Sequence, residues 1–316
     1  MYRPEIKLME CSIRDGGLMN KHQFSYDFVK KVYKAVSQAG IDYIELGYKN
    51  SKELFSPEEY GPWKFCDDED ISKVIDGVES DTKVSVMVDV GRVNMEDVKP
   101  ASESPVDMVR TAAYVKDIDK AIAMANEFHD KGYETTINVM AISRDQGPDL
   151  DEAIEQIESE CKADVIYIVD SFGSLYQESV AGLVKRFKKV IKSKEIGYHG
   201  HNNQQLAFSN SIEAVIRNAN YIDGSIFGIG RAAGNCTMEL LLGFFKNPKY
   251  RIKPILDVIS EEFLSLSEDI EWGYHIPYAV TGMLNEHPRT AMALRASEDK
   301  DKYSDFYDSL INSSMD

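Results

Sequence analysis

The chain has 316 residues, 43% hydrophobic and 28% charged, with 20 Gly and 10 Pro, so it can fill a core and is not low-complexity. Its net charge of −17 repels phosphate backbones and anionic headgroups, which sets aside nucleic acid and membrane surfaces as expected partners. No apolar run approaches the roughly 18 residues of a membrane span, and the opening Met1-Tyr2-Arg3-Pro4 lacks a signal-peptide core, so a cytoplasmic location is expected. Cys11, Cys66, Cys161 and Cys236 are scattered without a CxxC pair, which argues for reduced thiols rather than a disulfide framework or zinc ribbon.

Short apolar, β-branched runs alternate with stretches of helical period. The predicted strands are Lys7–Ile13, Tyr43–Leu46, Val84–Asp89, Met108–Thr111, Thr135–Ala141, Val165–Asp170, Ile196–His201 and Tyr221–Ile226. Between them the spacing predicts helices over Phe28–Gln38, Ile118–Lys131, Leu150–Cys161, Val180–Ile191 and Gln205–Asn218, with Ala39-Gly40 and Lys131-Gly132 as helix stops. Eight strand-then-helix units ending near residue 245 point to an α/β fold, a closed (β/α)₈ TIM barrel. A doubly wound open sheet would usually carry G-x-G-x-x-G after its first strand, whereas this chain has Arg14-Asp15-Gly16-Gly17. Residues 1–250 are therefore expected to form the barrel. Residues 251–316 read as a C-terminal helical extension that caps the mouth or packs outside, with helices over Ile255–Leu266 and Ile276–Leu284 and a polar end at 312–316.

In such a barrel the chemistry sits at the C-terminal ends of the strands. There the sequence places Arg14-Asp15, Glu45, Asp89, Arg110, Asp170-Ser171 and His199-Gly200-His201. Side chains two apart on a strand share a face, so His199 and His201 are expected to converge at the mouth, where two imidazoles make half a metal site. Asp15 is the natural carboxylate to complete it, and a mixed N/O set suits Mn²⁺, Mg²⁺, Co²⁺ or Zn²⁺. Gly228 to Glu239 follows the last strand, where Asn235 either adds an amide oxygen to the metal or caps the next helix. Arg110, and Arg231 within the glycine loop, are cations available to a substrate.

Four stretches taken in order, Ile13-Arg14-Asp15-Gly16, Tyr43-Ile44-Glu45, His199-Gly200-His201-Asn202 and Gly228 to Glu239, resemble the DRE-TIM metallolyases, the HMGL-like aldolases, lyases and acyl-CoA condensing enzymes. The resemblance covers about residues 7 to 245 and implies a metal held by Asp15, His199, His201 and Asn235, with Arg14 stabilising an enolate. It also implies that Ser171 contacts a pyruvate carboxylate and that Glu45 is an acidic residue of the mouth. The Gly17-Leu18 pair departs from the Glu-Gln of the condensing branch, and a Gly-Cys-Pro loop of the hydroxymethylglutaryl-CoA lyase branch is absent. The 4-hydroxy-2-oxovalerate aldolase branch fits best, although it carries a histidine base where this chain has Leu18. His22, Tyr274 and His275 are the candidates to replace that base, the latter two in the aromatic cluster Trp272 to Tyr278. His287 and Arg289 are further candidates for the mouth, and His129 carries no assigned role.

The expected function is thus a divalent-metal-dependent aldolase joining or cleaving pyruvate, or a related 2-oxo acid, and an aldehyde, with Mn²⁺ as the leading ion. An acyl-CoA reaction of the same superfamily and a non-catalytic barrel subunit are the alternatives. A homodimer is a further expectation, and the resemblance adds an aldehyde dehydrogenase as a partner.

Overall fold

Each predicted β-branched run becomes a strand buried on both faces, as a parallel sheet sheathed by helices requires. In the computed structural model, which describes residues 1–313, the strands are β1 (Lys7–Glu10), β2 (Tyr43–Tyr48), β3 (Lys83–Asp89), β4 (Met108–Ala113), β5 (Glu134–Val139), β6 (Val165–Asp170), β7 (Glu195–Gly200) and β8 (Tyr221–Gly224). They pair in parallel, in sequence order, and β8 closes on β1 through Lys7↔Tyr221 to Glu10↔Gly224. The chain is a TIM barrel. Its helices include Tyr26–Gln38, Ile118–Asp130, Pro148–Glu160, Gln177–Val190 and Ala207–Ile216, close to the predicted spans, together with Asp68–Ile75 and with Met238–Phe244, the helix expected after the glycine loop.

Two apolar layers hold this up. Outward-facing residues such as Ile44, Val86, Ile137 and Ile168 meet the inner stripes of the helices, for instance Val29, Val32 and Val36 of Tyr26–Gln38. Ser25 caps that helix by accepting a hydrogen bond from Phe28 N at 3.2 Å, and Gly40 ends it at φ +72°. Inside the barrel, Met9, Tyr43 and Met108 with Tyr221 plug the N-terminal end.

Two local departures from the expected strands shape the mouth. The first strand stops at Glu10, and Ser12–Gly16 is one helical turn, so Arg14 and Asp15 do not lie on the strand as expected. Buried Glu10 fixes this turn by accepting from Ser12 N at 2.8 Å and from the Ser12 hydroxyl, and it also accepts from Ile226 N at 3.3 Å. In β2 the register against β3 slips between Glu45 and Tyr48, a β-bulge. The extra residue turns Tyr48 inward beside Met87 and Ala112, where strict alternation would have sent it outward. Gly47 permits this, because a Cβ there would lie 1.9 Å from the Trp63 carbonyl oxygen.

The chain beyond residue 250 is helical, as expected, but divides in two. Helices Lys253–Val258 and Leu264–Asp269, joined by a π-turn over Ile259–Phe263, sink Ile255, Val258 and Phe263 into the barrel's own core. Helices Ile276–Met283, Arg289–Arg295 and Tyr303–Ser313 instead form a satellite cluster over Ala232 and Ala233 of the loop after β8. Of the polar end, residues 314–316 lie outside the described residues.

Burial pushes the Glu10 carboxyl up to about 7. A carboxyl raised on folding binds its proton more tightly in the native state, so stability should fall as pH rises from the ordinary Glu range toward 7. In chemical denaturation across pH 4.5 to 8, Glu10→Gln should remove a component of that slope of up to about 1.4 kcal/mol per pH unit. An unchanged slope would show that Glu10 is charged at little cost.

Candidate active site

The helical turn after β1 carries Asp15 to the barrel axis, and β7 brings His199 and His201 to the same point, their rings 5.2 Å apart. One ligand atom from each lies within 4.8 Å of one from each of the others, and all three residues are buried. His201 lies just past the last β7 residue, and a bridge pairs it with Asn235. Backbone bonds Asn202 N to Gly234 O (2.9 Å) and Cys236 N to Gly200 O (3.2 Å) sew the glycine loop onto that strand end. Asn235 therefore does not cap the following helix, whose N-cap position is Thr237. Its Nδ2 donates to Asp15 Oδ2 at 2.5 Å, and its Oδ1 is buried with no protein partner. Gly230 makes the room: a Cβ there would meet Asn235 Nδ2 at 2.6 Å and Asp15 Oδ2 at 2.8 Å.

These residues fit a divalent cation. Two imidazoles, a carboxylate and an amide oxygen otherwise lacking a partner form the donor set of a hard to borderline metal. His199 is oriented for it, since its Nδ1 is engaged by Asp223 Oδ2 at 2.8 Å, leaving Nε2 for the mouth. Burial holds the His201 imidazole well below its usual range, which keeps it neutral, as a ligand must be. Asp15 is also buried, yet the cations around it, Arg14 first, keep its carboxyl below the usual carboxylate range.

Beneath the mouth runs a chain of alternating charge. Arg14 donates to Asp15 Oδ1 at 2.8 Å and to Glu45 Oε2 at 2.6 Å. Glu45 Oε1 lies 3.1 Å from Arg110 Nη1, and Arg110 Nη2 donates to Asp223 Oδ2 at 2.6 Å. Asp223 returns to His199, and the Arg110 guanidinium stacks over Tyr167, 4.3 Å from its ring centre. Despite its burial, the Asp223 carboxyl is held down at about 2 by Arg110 and His199.

Above the chain is a chamber of about 70 Å³ lined by Arg14, Asp15, Tyr48, Ser171, His199 and His201, among others. Ser171 Oγ accepts from Ala141 N at 2.8 Å, and Arg231 donates to the Ser171 carbonyl at 2.7 Å from the chamber wall. The family model described as HMGL-like matches residues 5–260. The chain belongs to the HMGL-like family. It is 28% identical over 249 residues to a protein named 4-hydroxy-2-oxovalerate aldolase from Pelotomaculum thermopropionicum, covering 79% of this chain and 72% of that one. A protein of the same name from Geobacillus thermodenitrificans is 30% identical over 238 residues, 75% of this chain and 68% of the relative. Among solved structures, the N-terminal domain of an aldolase candidate from Bacteroides vulgatus superposes with a TM-score of 0.78 at 29% identity, covering 93% of this chain and 98% of that one.

Within this HMGL-like barrel the remaining expected site residues divide. Arg110 and Glu45, expected to meet substrate, are fully buried below the chamber with their charges spent on each other, Arg14 and Asp223. Tyr274 and His275, proposed as the base, are not in the chamber wall; Tyr274 is 56% exposed, and His275 faces Glu271 (3.6 Å) and the Tyr278 ring. Their aromatic cluster is anchored sideways, Trp272 Nε1 donating to the Phe227 carbonyl at 3.0 Å. His22 is buried edge-on behind Tyr48, its Nδ1 unpartnered, and burial with Lys64 and Arg14 pushes it down to about 3. Instead His287 and Arg289 reach the outer mouth. Tyr48 and Asp223 were missed: nothing in Tyr43 to Tyr48 announces a bulge except Gly47, and Asp223 was a lone acid within an apolar run.

Replacing Arg110 with Met leaves Glu45 and Asp223 buried without their shared cation. Thermal or chemical denaturation should show a loss of about 3–5 kcal/mol. A loss below about 1 kcal/mol would mean the carboxylates find other partners.

Proposed function

We propose that this chain is a divalent-metal-dependent lyase that cleaves a 4-hydroxy-2-oxo acid to pyruvate, or a related 2-oxo acid, and an aldehyde, or runs the same aldol reaction in reverse. The observation that carries the reading is the convergence of Asp15, His199 and His201 with Arg14 in one chamber, beside the unpartnered Asn235 oxygen. The names of the relatives support the same chemistry. A divalent ion held by Asp15, His199, His201 and Asn235, with Mn²⁺ as the first choice and Mg²⁺, Co²⁺ or Zn²⁺ as alternatives, would supply Lewis acidity toward the 2-oxo group.

The protein's own groups supply the rest. Arg14 is pinned by Asp15 and Glu45, so its guanidinium is fixed before negative charge develops on the enolate oxygen. Ser171 and Arg231 take the carboxylate of the 2-oxo acid. In the joining direction pyruvate gives up a C3 proton to solvent, C3 of the resulting enolate attacks the aldehyde carbon, the carbonyl electron pair moves to oxygen, and that oxygen takes a proton from a protein donor that solvent reprotonates; in cleavage the hydroxyl passes its proton to that same group as the group releases its own to solvent, the C–C bond breaks, and the enolate takes a proton from solvent. Tyr48 occupies the chamber wall where Leu18 offers no titratable group, and burial raises its phenol so that it is protonated near neutral pH. It is the donor we assign to that oxygen, aimed there by the β2 bulge.

Incubation with pyruvate and Mn²⁺ in deuterated water should exchange the methyl protons without any acyl-CoA. Arg14→Lys should slow exchange by about 10²–10³-fold, the value of one well-placed donor. Failure of the wild-type protein to exchange with any of the four ions would contradict the reading. Tyr48→Phe should depress aldol cleavage by at least about tenfold more than it depresses exchange; equal effects on both would remove Tyr48 from the proton step.

A further inference from the structure

The metal chamber opens through Leu18, Tyr48, Met140 and Arg231 into a wider outer cavity of about 450 Å³. Its charge is opposite to that of the protein as a whole, which carries −17. Arg92, Lys116, Arg231 and Arg289 line it against only Asp89 and Asp117. Those two acids are already engaged: Asp89 pairs with Arg92 at 2.8 Å, and Asp117 pairs with Lys120 at 2.8 Å. Among the described residues Lys116, Arg231 and Arg289 form no ion pair with a carboxylate.

Elsewhere on this chain basic side chains are commonly matched with an acid, as in Lys31 with Asp27 and Glu262, Lys49 with Asp68, or Arg295 with Glu271. Other described basic side chains, Lys30 and Lys64 among them, also form no ion pair, but Lys116, Arg231 and Arg289 are gathered around one cavity. Arg231 is not a solvated surface side chain: its Nη2 is fixed to the Ser171 carbonyl, and its Nε is buried with no partner. His287 adds to the same wall. Its Nδ1 accepts the Arg289 backbone N–H at 3.1 Å, so the neutral ring carries its proton on Nε2 as a further donor. Burial together with Arg231, Arg289 and Arg144 pushes His287 down to about 4, as a cavity of positive potential should.

We propose that this outer cavity binds the anionic end of the acceptor aldehyde, a terminal phosphate or carboxylate, so that the substrate spans from the metal chamber to Lys116, Arg231 and Arg289. The proposal rests on the aldolase reading above and adds the substrate class. A neutral two-carbon aldehyde would leave this space, Lys116 and Arg289 unused, whereas an aldehyde with a charged end matches both the volume and the sign. Arg231, at the junction of the two spaces, faces the 2-oxo acid on one side and the acceptor on the other. The acceptor's charged end also gives electrostatic steering into the mouth of an otherwise acidic protein, which salt would screen.

The test uses matched aldehyde pairs with pyruvate and Mn²⁺: glyceraldehyde 3-phosphate against glyceraldehyde, and succinic semialdehyde against butanal. At least one anionic member should exceed its neutral partner in kcat/KM by about tenfold or more, the worth of one charged contact. Whichever pair shows the gap identifies phosphate or carboxylate. In Arg289→Gln and Lys116→Gln the gap should shrink, and in the wild-type protein it should shrink with added NaCl. A readout independent of turnover is calorimetric titration of the metal-free protein with inorganic phosphate and with succinate. One of them should bind saturably, and Arg289→Gln should weaken that binding about tenfold. Pyruvate deuterium exchange without aldehyde separates the two levels. Exchange with no anionic preference in either pair overturns this inference and leaves the aldolase reading standing, whereas absence of exchange overturns the aldolase reading itself.

Discussion

The site depends on a buried sequence of alternating charges, Asp15 to Arg14 to Glu45 to Arg110 to Asp223 to His199, that crosses the barrel just below its mouth. Burying one such group alone would be prohibitive, and even a buried pair seldom repays its desolvation. Joined end to end, each acid meets two cations or a cation and an imidazole, and each arginine meets two acids. Such an arrangement selects one geometry rather than maximal stability. It fixes Arg14, after β1, and His199, on β7, on the two flanks of β8, so the groups that would handle a 2-oxo acid are positioned before any ligand arrives.

The apolar architecture explains why the chain can hold that network. Below it, Met9, Tyr43, Met108 and Tyr221 exclude water from the barrel's lower half, and around it the strand-to-helix layer is continuous. Above it, among the described residues, Asp15 is the one carboxylate in the chamber wall, surrounded by Arg14, Arg231 and the two histidines. Positive character then extends outward to Arg289 and Lys116, so polarity is graded from a charge-paired interior to a mouth with cations to spare. The C-terminal segment takes part through His287 and Arg289, which bring a neutral imidazole and a guanidinium to the rim.

The barrel was legible because parallel strands sheathed by helices read as continuous β-branched runs, and every one of the eight was found within a few residues. The convergence of the two histidines was legible for a related reason: strand period alone brings His199 and His201 to one face. What escaped was conformational or long-range. Ile13 extends an apolar run and reads as strand, yet Glu10 draws Ser12 into a helical turn. Tyr48 is inward only because of a bulge whose sole trace in the sequence is Gly47. Arg110 looked like a mouth residue because its strand position was counted from an end that lies two residues further on, at Ala113 by backbone pairing. Tyr274 and His275 drew attention by composition, but aromatic density there serves contact with Phe227 rather than the chamber.

The central claim is that the buried charges position the ligands rather than merely fill the barrel. Calorimetric titration of Mn²⁺ into Asp223→Asn, set beside the wild-type protein, reads this directly, because Asp223 touches His199 but is not among the groups assigned to the ion. Loss of the charged partner of His199 Nδ1 should weaken Mn²⁺ binding by about 10–100-fold while the circular dichroism spectrum stays native. Wild-type affinity in that variant would contradict the account.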